Sequence, residues 1–140
     1  MEAIYTAEAL STGAGRDGHV STPDGLLDLD MAPPKEMGGS GNGANPELLF
    51  AAGYAACFHS ALQGMARQAG IDVTGSSVGA QVGIGKREGG GFQLAVTLEV
   101  VLPDVPHERA QELADKAHEV CPYSHATRGN IDVTVTVSDD

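Results

Sequence analysis

The clearest period in the chain is the alternation of β-branched apolar and polar residues over Ile131-Asp132-Val133-Thr134-Val135-Thr136-Val137, the mark of a strand with one buried face. Asp72 to Lys86 and Gly91 to Leu102 alternate more loosely around Arg87-Glu88-Gly89-Gly90 and predict a hairpin of two longer strands. Nearer the start, Glu2 to Leu10, His19 to Thr22 and Leu26 to Asp30 are separated by Gly13-Ala14-Gly15-Arg16-Asp17-Gly18 and by Pro23-Asp24-Gly25, which predicts a meander of three antiparallel strands. Pro33-Pro34 through Gly38-Gly39-Ser40-Gly41-Asn42-Gly43 holds no regular element and reads as a long loop.

Two stretches carry helical signals instead. Asn45-Pro46-Glu47 combines an N-cap side chain, a proline at the first helical position and a carboxylate at the positive end of the dipole, and Gly70 marks the stop. The helix between them, Pro46 to Gln68, is rich in Ala51, Ala52, Gly53, Ala55, Ala56, Ala61 and Gly64, and is expected to be central and buried all round. Pro106 opens a second helix through Val120, with Ala110, Leu113, Ala114 and Ala117 on one stripe. The fold class is α+β, six strands and two main helices in a single domain over 1–140: N-terminal strands and loop over 1–44, central helix over 45–70, then hairpin, second helix and last strand over 71–140.

Composition narrows the function classes. At 140 residues and 41% apolar, the chain is long enough for one core. A formal charge of −11, from 19 acidic and 8 basic residues, repels phosphate backbones and anionic headgroups, so neither nucleic acid nor membrane is expected as a partner. The longest apolar run, Leu48 to Phe58, is too short to span a bilayer, and Met1-Glu2-Ala3-Ile4-Tyr5 lacks a basic then apolar leader, so the expected location is the cytoplasm.

Cys57 and Cys121 are the only thiols. Their separation excludes a CxxC redox motif, and a reducing compartment argues against a permanent staple, so whether they meet is a matter for the fold. Burial alone makes a helical thiol an inert apolar filler and raises its pKa, and a nucleophile needs a nearby cation or donors. Arg67 stands ten residues beyond Cys57 on the same helix, about 15 Å away along the axis, too far to help. Arg16, in the glycine-rich turn, is either a solvated turn residue or a cation folded close to a site. Cys121, just past a helix end and before Pro122, is expected to be the more exposed and mobile thiol. Zinc is the competing use of Cys57, His59, His118, Cys121 and His125, but Cys57 and His59 point about 200° apart on one helix and cannot share an ion, so no metal or cofactor is assigned. The Gly38 to Gly43 cluster lacks the lysine of a phosphate loop.

Three segments carry a family resemblance: Asn45 through Phe58, Val120-Cys121-Pro122-Tyr123-Ser124-His125-Ala126-Thr127-Arg128-Gly129-Asn130-Ile131-Asp132-Val133, and Gly15-Arg16-Asp17-Gly18. Together they resemble the organic hydroperoxide resistance proteins of the OsmC-like superfamily, in order along nearly the whole chain. Leu48 and His125 stand where glutamine and asparagine are common. The resemblance implies an intertwined homodimer with antiparallel six-stranded sheets wrapped around two central helices. It implies a thiol peroxidase in which Cys57 is peroxidatic and Cys121 resolving, Arg16 steadies the thiolate and polarises the peroxide, and Glu47 holds Arg16. It also implies an organic hydroperoxide substrate and a dithiol reductant of the lipoyl type carried on a protein. Phe50, Tyr54, Phe58, Leu62 and Met37 are the expected apolar walls of the substrate pocket.

Glu47 and Cys57 lie ten positions apart on one helix, about 15 Å of rise, so one copy cannot bring both into a single pocket. The expectation is two sites per dimer, Arg16 and Glu47 of one chain facing Cys57 and Cys121 of the other. The alternative is an OsmC-like protein that binds an apolar ligand with thiols that never cycle.

Overall fold

The computed structural model describes residues 1–138, so the last two residues of the domain expected over 1–140 lie outside the described residues. The chain forms two compact units, Met1–Leu49 and a second from Phe50 onward, with the division inside the long helix rather than at its start. The architecture is mixed α and β.

The first unit holds a three-stranded antiparallel sheet of β1 (Leu10–Thr12), β2 (His19–Ser21) and β3 (Asp28–Asp30), in that order. The strand expected over Glu2 to Leu10 starts only at Leu10, because β2 is three residues long and gives the preceding segment no ladder partner. Ile4 and Tyr5 are accordingly exposed. Between β1 and β2, Gly15–Asp17 makes one tight 3₁₀ turn that presents Arg16. Gly18 closes it: a Cβ there would lie 2.2 Å from the Thr12 carbonyl oxygen, so only glycine admits this return of the chain. The loop after β3 contains a second 3₁₀ turn, Lys35–Met37, and no longer element.

Helix α1 (Pro46–Gln68) begins where the sequence predicts, with the Asn45 side-chain oxygen accepting the Leu48 N–H at 2.8 Å. Within the second unit its buried positions are Tyr54, Phe58, Leu62 and Ala66, one stripe at four-residue spacing. The expectation of a helix buried all round is corrected here. Sheet and helices cover one side only, and Leu48, Ala52, Ala56 and Ser60 on the opposite flank are exposed.

Strands β4 (Ser77–Lys86) and β5 (Phe92–Val101) form the expected hairpin, but β6 (Val133–Ser138) pairs parallel to β5. Among the described residues the chain therefore carries two three-stranded sheets, the first antiparallel and the second mixed rather than antiparallel throughout. The physical reason is the crossover: α2 (His107–Val120) and α3 (Pro122–Thr127) intervene between β5 and β6 and return the chain in the same direction. β4 starts later than predicted because the Asp72 carboxylate binds the Thr74 N–H and hydroxyl, at 2.9 and 2.6 Å, and holds a local turn. Val96, Leu98 and Val100 of β5 and Ala110, Leu113, Ala114 and Ala117 of α2 meet the α1 stripe in one core.

Candidate functional site

Cysteine 57 rides on α1 one turn from Tyr54, on the margin of the core, and is half-buried. Cys121 lies at the junction of two helices and is fully buried, which reverses the expected order of exposure. The cause is α3, a further short helix that begins at Pro122 instead of the chain leaving the core there. The Cys121 N–H closes α2 on the Ala117 carbonyl at 2.9 Å, and its own carbonyl accepts the His125 N–H at 3.0 Å to open α3. Both sides of its backbone are thus held in helical ladders, and residues 121–127 turn back over the core.

The fold brings the two sulfurs to 3.5 Å, with both thiols free. A disulfide needs about 2.05 Å, so the two sulfurs are unbonded at this separation and within a small side-chain rotation of bonding. Burial pushes the Cys57 thiol above its ordinary pKa. The Tyr123 backbone N–H opposes this by donating to the sulfur, and the neighbouring Cys121 sulfur adds to the upward push. Ionising Cys57 at neutral pH therefore calls for more positive charge than one amide supplies.

Tyr123 was not singled out from sequence, though the chain holds a signal for it. With Pro122 at the first position of α3, the next N–H has no partner in its own helix and is free to bind sulfur. The Tyr123 ring, partly exposed, lies 6.2 Å from that of Phe50 and 5.7 Å from that of Tyr54, and Phe50 meets Tyr54 edge-on at 6.1 Å. It rests over Gly53, where a Cβ would stand 3.0 Å from the tyrosine oxygen and 3.2 Å from Cε2, so the missing side chain is what lets the ring lie close.

Of the expected pocket residues, Phe50 is half-buried beside this aromatic group. Tyr54, Phe58 and Leu62 have no exposed surface and belong to the core, so a ligand reaches none of them directly, and they stand as support behind a wall rather than as its face. Met37 lies in the first unit, half exposed at the end of its 3₁₀ turn.

Arg16 and Glu47 also meet, within the first unit. The guanidinium forks onto the carboxylate, Nη1 donating to Oε2 at 3.0 Å and Nη2 lying 2.9 Å from Oε1, the second an ion pair without hydrogen-bond alignment. Glu47 is mostly buried, Arg16 nearly half exposed. The Arg16 hydrogen bond holds the Glu47 carboxyl below its ordinary pKa against the opposing effect of burial. Glu47 in turn raises that of Arg16.

Two of the three candidate zinc histidines have other side-chain partners. His59 Nε2 lies 2.9 Å from the Ser76 hydroxyl, and His118 Nδ1 lies 2.8 Å from that of Ser124. Among the described residues no three His, Cys, Asp or Glu side chains converge to hold a metal. No helix among them is long and apolar enough to cross a membrane.

Residues 39–136 match the family model for OsmC-like protein, and the chain belongs to that family. Within it, the chain is 49% identical over 137 residues to the organic hydroperoxide resistance protein of Xanthomonas axonopodis pv. citri, covering 96% of this chain and 95% of that one. It is 48% identical over 132 residues to the organic hydroperoxide resistance protein OhrB of Bacillus subtilis, covering 94% and 96%. Among solved structures, the organic hydroperoxide resistance protein of Elizabethkingia anophelis matches with a TM-score of 0.93 at 51% identity over 100% of both chains.

Proposed function

We propose that this chain detoxifies organic hydroperoxides as a cysteine-based peroxidase, with Cys57 as the nucleophile and Cys121 as the resolving thiol. The observation that carries the reading is the 3.5 Å approach of two free sulfurs that lie 64 positions apart in sequence. The names of the relatives, organic hydroperoxide resistance proteins at nearly half identity over almost the full chain, support the substrate class.

The Cys57 thiolate attacks the outer oxygen of ROOH. A sulfur–oxygen bond forms, the O–O bond breaks, and the departing alkoxide takes a proton to become the alcohol. The Cys121 sulfur, giving up its proton, then attacks the sulfenic acid, closing the disulfide and releasing the hydroxyl as water. An external dithiol of the lipoyl type returns two electrons and two protons and reopens the pair. Arg16, oriented by Glu47, supplies the positive charge that Cys57 lacks and that the leaving oxygen needs. In this reading the chain works as a homodimer in the cytoplasm, Arg16 and Glu47 of one protomer completing the site around Cys57 and Cys121 of its partner. Phe50 and Tyr123 form the apolar approach that favours an alkyl hydroperoxide over hydrogen peroxide.

The test is a thiol count. Reduced protein mixed with an alkyl hydroperoxide loses both thiols, and Cys57→Ser keeps the one that remains, Cys121. Retention of both thiols in the unaltered chain would leave an apolar-ligand binder and sink the peroxidase.

A further inference from the structure

Below the two sulfurs runs a buried chain of side-chain hydrogen bonds that the redox steps do not use. The Tyr54 hydroxyl on α1 lies 2.8 Å from the Ser124 hydroxyl and 3.0 Å from that of Thr127, both on α3. Ser124 is also 2.8 Å from His118 Nδ1 on α2, and the Thr127 hydroxyl donates to the Ser124 carbonyl at 3.2 Å. Tyr54 and Ser124 have no exposed surface and Thr127 only 5%. Three hydroxyls buried in an apolar core are held there only if each is satisfied, and the half-buried His118 closes the chain at its edge.

Counting protons fixes the direction of the chain. Each hydroxyl donates once. Thr127 spends its proton on the Ser124 carbonyl, so it accepts from Tyr54. Tyr54 has then spent its own and accepts from Ser124, and Ser124 in turn accepts from His118 Nδ1–H. The reverse direction leaves the Tyr54–Thr127 pair without a proton. The arrangement therefore demands the Nδ1–H tautomer of His118 and ties α1, α2 and α3 together around the residue where α2 becomes α3, which is Cys121.

We propose that Tyr54, Ser124, Thr127 and His118 are positioning residues that lock α3, and with it the Cys121 sulfur and the Tyr123 N–H, against Cys57. Six residues make a helix too short to hold itself in place, so without these ties α3 pivots on Pro122 and the two sulfurs drift out of range. The catalytic use of this lock rests on the peroxidase reading; the lock itself does not.

The experiment equilibrates the protein with glutathione disulfide. One S–S bond of the reagent breaks, the Cys57–Cys121 bond forms and two glutathione thiols are released, so the ratio at equilibrium gives the effective concentration of one thiol for the other without any peroxide. Tyr54→Phe and Thr127→Val, which remove hydroxyls and keep shape, are expected to lower that concentration about tenfold, equivalent to about 1.4 kcal/mol. Thr127→Ser, which keeps the hydroxyl, is expected to stay near the unaltered value. Val100→Ala, a core change on β5, is expected to lower stability and leave the concentration as it was. Nitrogen NMR of His118 in the unaltered protein is expected to show the proton on Nδ1. An effective concentration unchanged in both hydroxyl-deleted variants, a Val100→Ala shift as large as theirs, or an Nε2–H tautomer would each overturn the proposal. Loss of the effect of peroxide on thiols, with the Tyr54→Phe shift intact, would sink the peroxidase and leave the lock standing.

Discussion

Replacing Glu47 with glutamine keeps the side-chain shape and removes the charge that holds Arg16. Hydrogen bonds to charged groups contribute about 1.5–3 kcal/mol when well buried, whereas exposed ion pairs contribute about 0.2–1 kcal/mol. The fork has one partner mostly buried at 12% exposure and the other at 44%, so solvent screens it from one side and a contribution of about 1–1.5 kcal/mol is appropriate. If Arg16 acts on peroxide only while held, its productive population and the second-order rate for an alkyl hydroperoxide fall about five- to tenfold, since 1.36 kcal/mol is a decade in rate. The assay is the rate of Cys57 oxidation at pH 7 under single-turnover conditions, alongside the denaturation midpoint. The sign with pH is also set. Because Arg16 depresses the Glu47 pKa, the pair contributes fully above the ordinary carboxylate value of about 4.3 and is lost as pH falls through the lower folded value, so the variant should lack that acid-side loss. A rate within twofold of the unaltered protein would refute the holding role. A fall beyond about a thousandfold would mean that Glu47 touches the reacting atoms instead.

Cys121→Ser leaves the Cys57 sulfenic acid unresolved, and intact mass after excess peroxide should show the sulfinic acid where the unaltered chain shows a disulfide. Leu98→Ala removes a fully buried core side chain and should cost about 2–5 kcal/mol in chemical denaturation. His118 and His19 predict opposite pH slopes. Burial, reinforced by Arg128, lowers the His118 pKa, so stability should fall as pH drops below about 6.5, and His118→Asn should flatten that limb. His19 bonds Asp30 at 2.9 Å and also Asp28, which raise its pKa in that order, so its contribution is complete below about 6.5 and lost as pH rises through the higher folded value; His19→Gln should remove that loss.

The long helix was legible to the residue because its signals are local: Asn45 caps it, Pro46 starts it and Gly70 stops it. The hairpin was legible for the same reason, its two strands flanking a glycine-rich turn. What the sequence hid was pairing and environment. The parallel return of β6 depends on where α2 and α3 set the chain down, which no period in Ile131 to Val137 encodes. Cys121 read as exposed because Pro122 looked like the end of an element, when it is the first residue of α3. Tyr54 read as pocket wall on apolar size alone, yet its hydroxyl ties it to Ser124 and Thr127, seventy or more positions away, and that partner set is invisible to any window along the chain.

The composite site carries its own test, built from variants that are each inactive. Cys57 is pushed towards the neutral thiol by burial, and within the second unit only the Tyr123 N–H opposes that push, so the reading assigns the missing positive charge to Arg16. Glu47 binds Arg16 and stands ten positions before Cys57 on α1, about 15 Å of helical rise, which is why the proposal draws that charge from a second chain. In a C2 dimer built this way, Arg16→Ala protein has two sites without a cation, and Cys57→Ser protein has two without a nucleophile. Subunit exchange between equal amounts makes about half of the dimers mixed, each with one intact site, so activity should return to about a quarter of the unaltered level. A site completed within one chain gives no recovery on mixing. If exchange is verified by mass and the mixture stays inactive, the charge reaches Cys57 from its own protomer and the shared site is wrong.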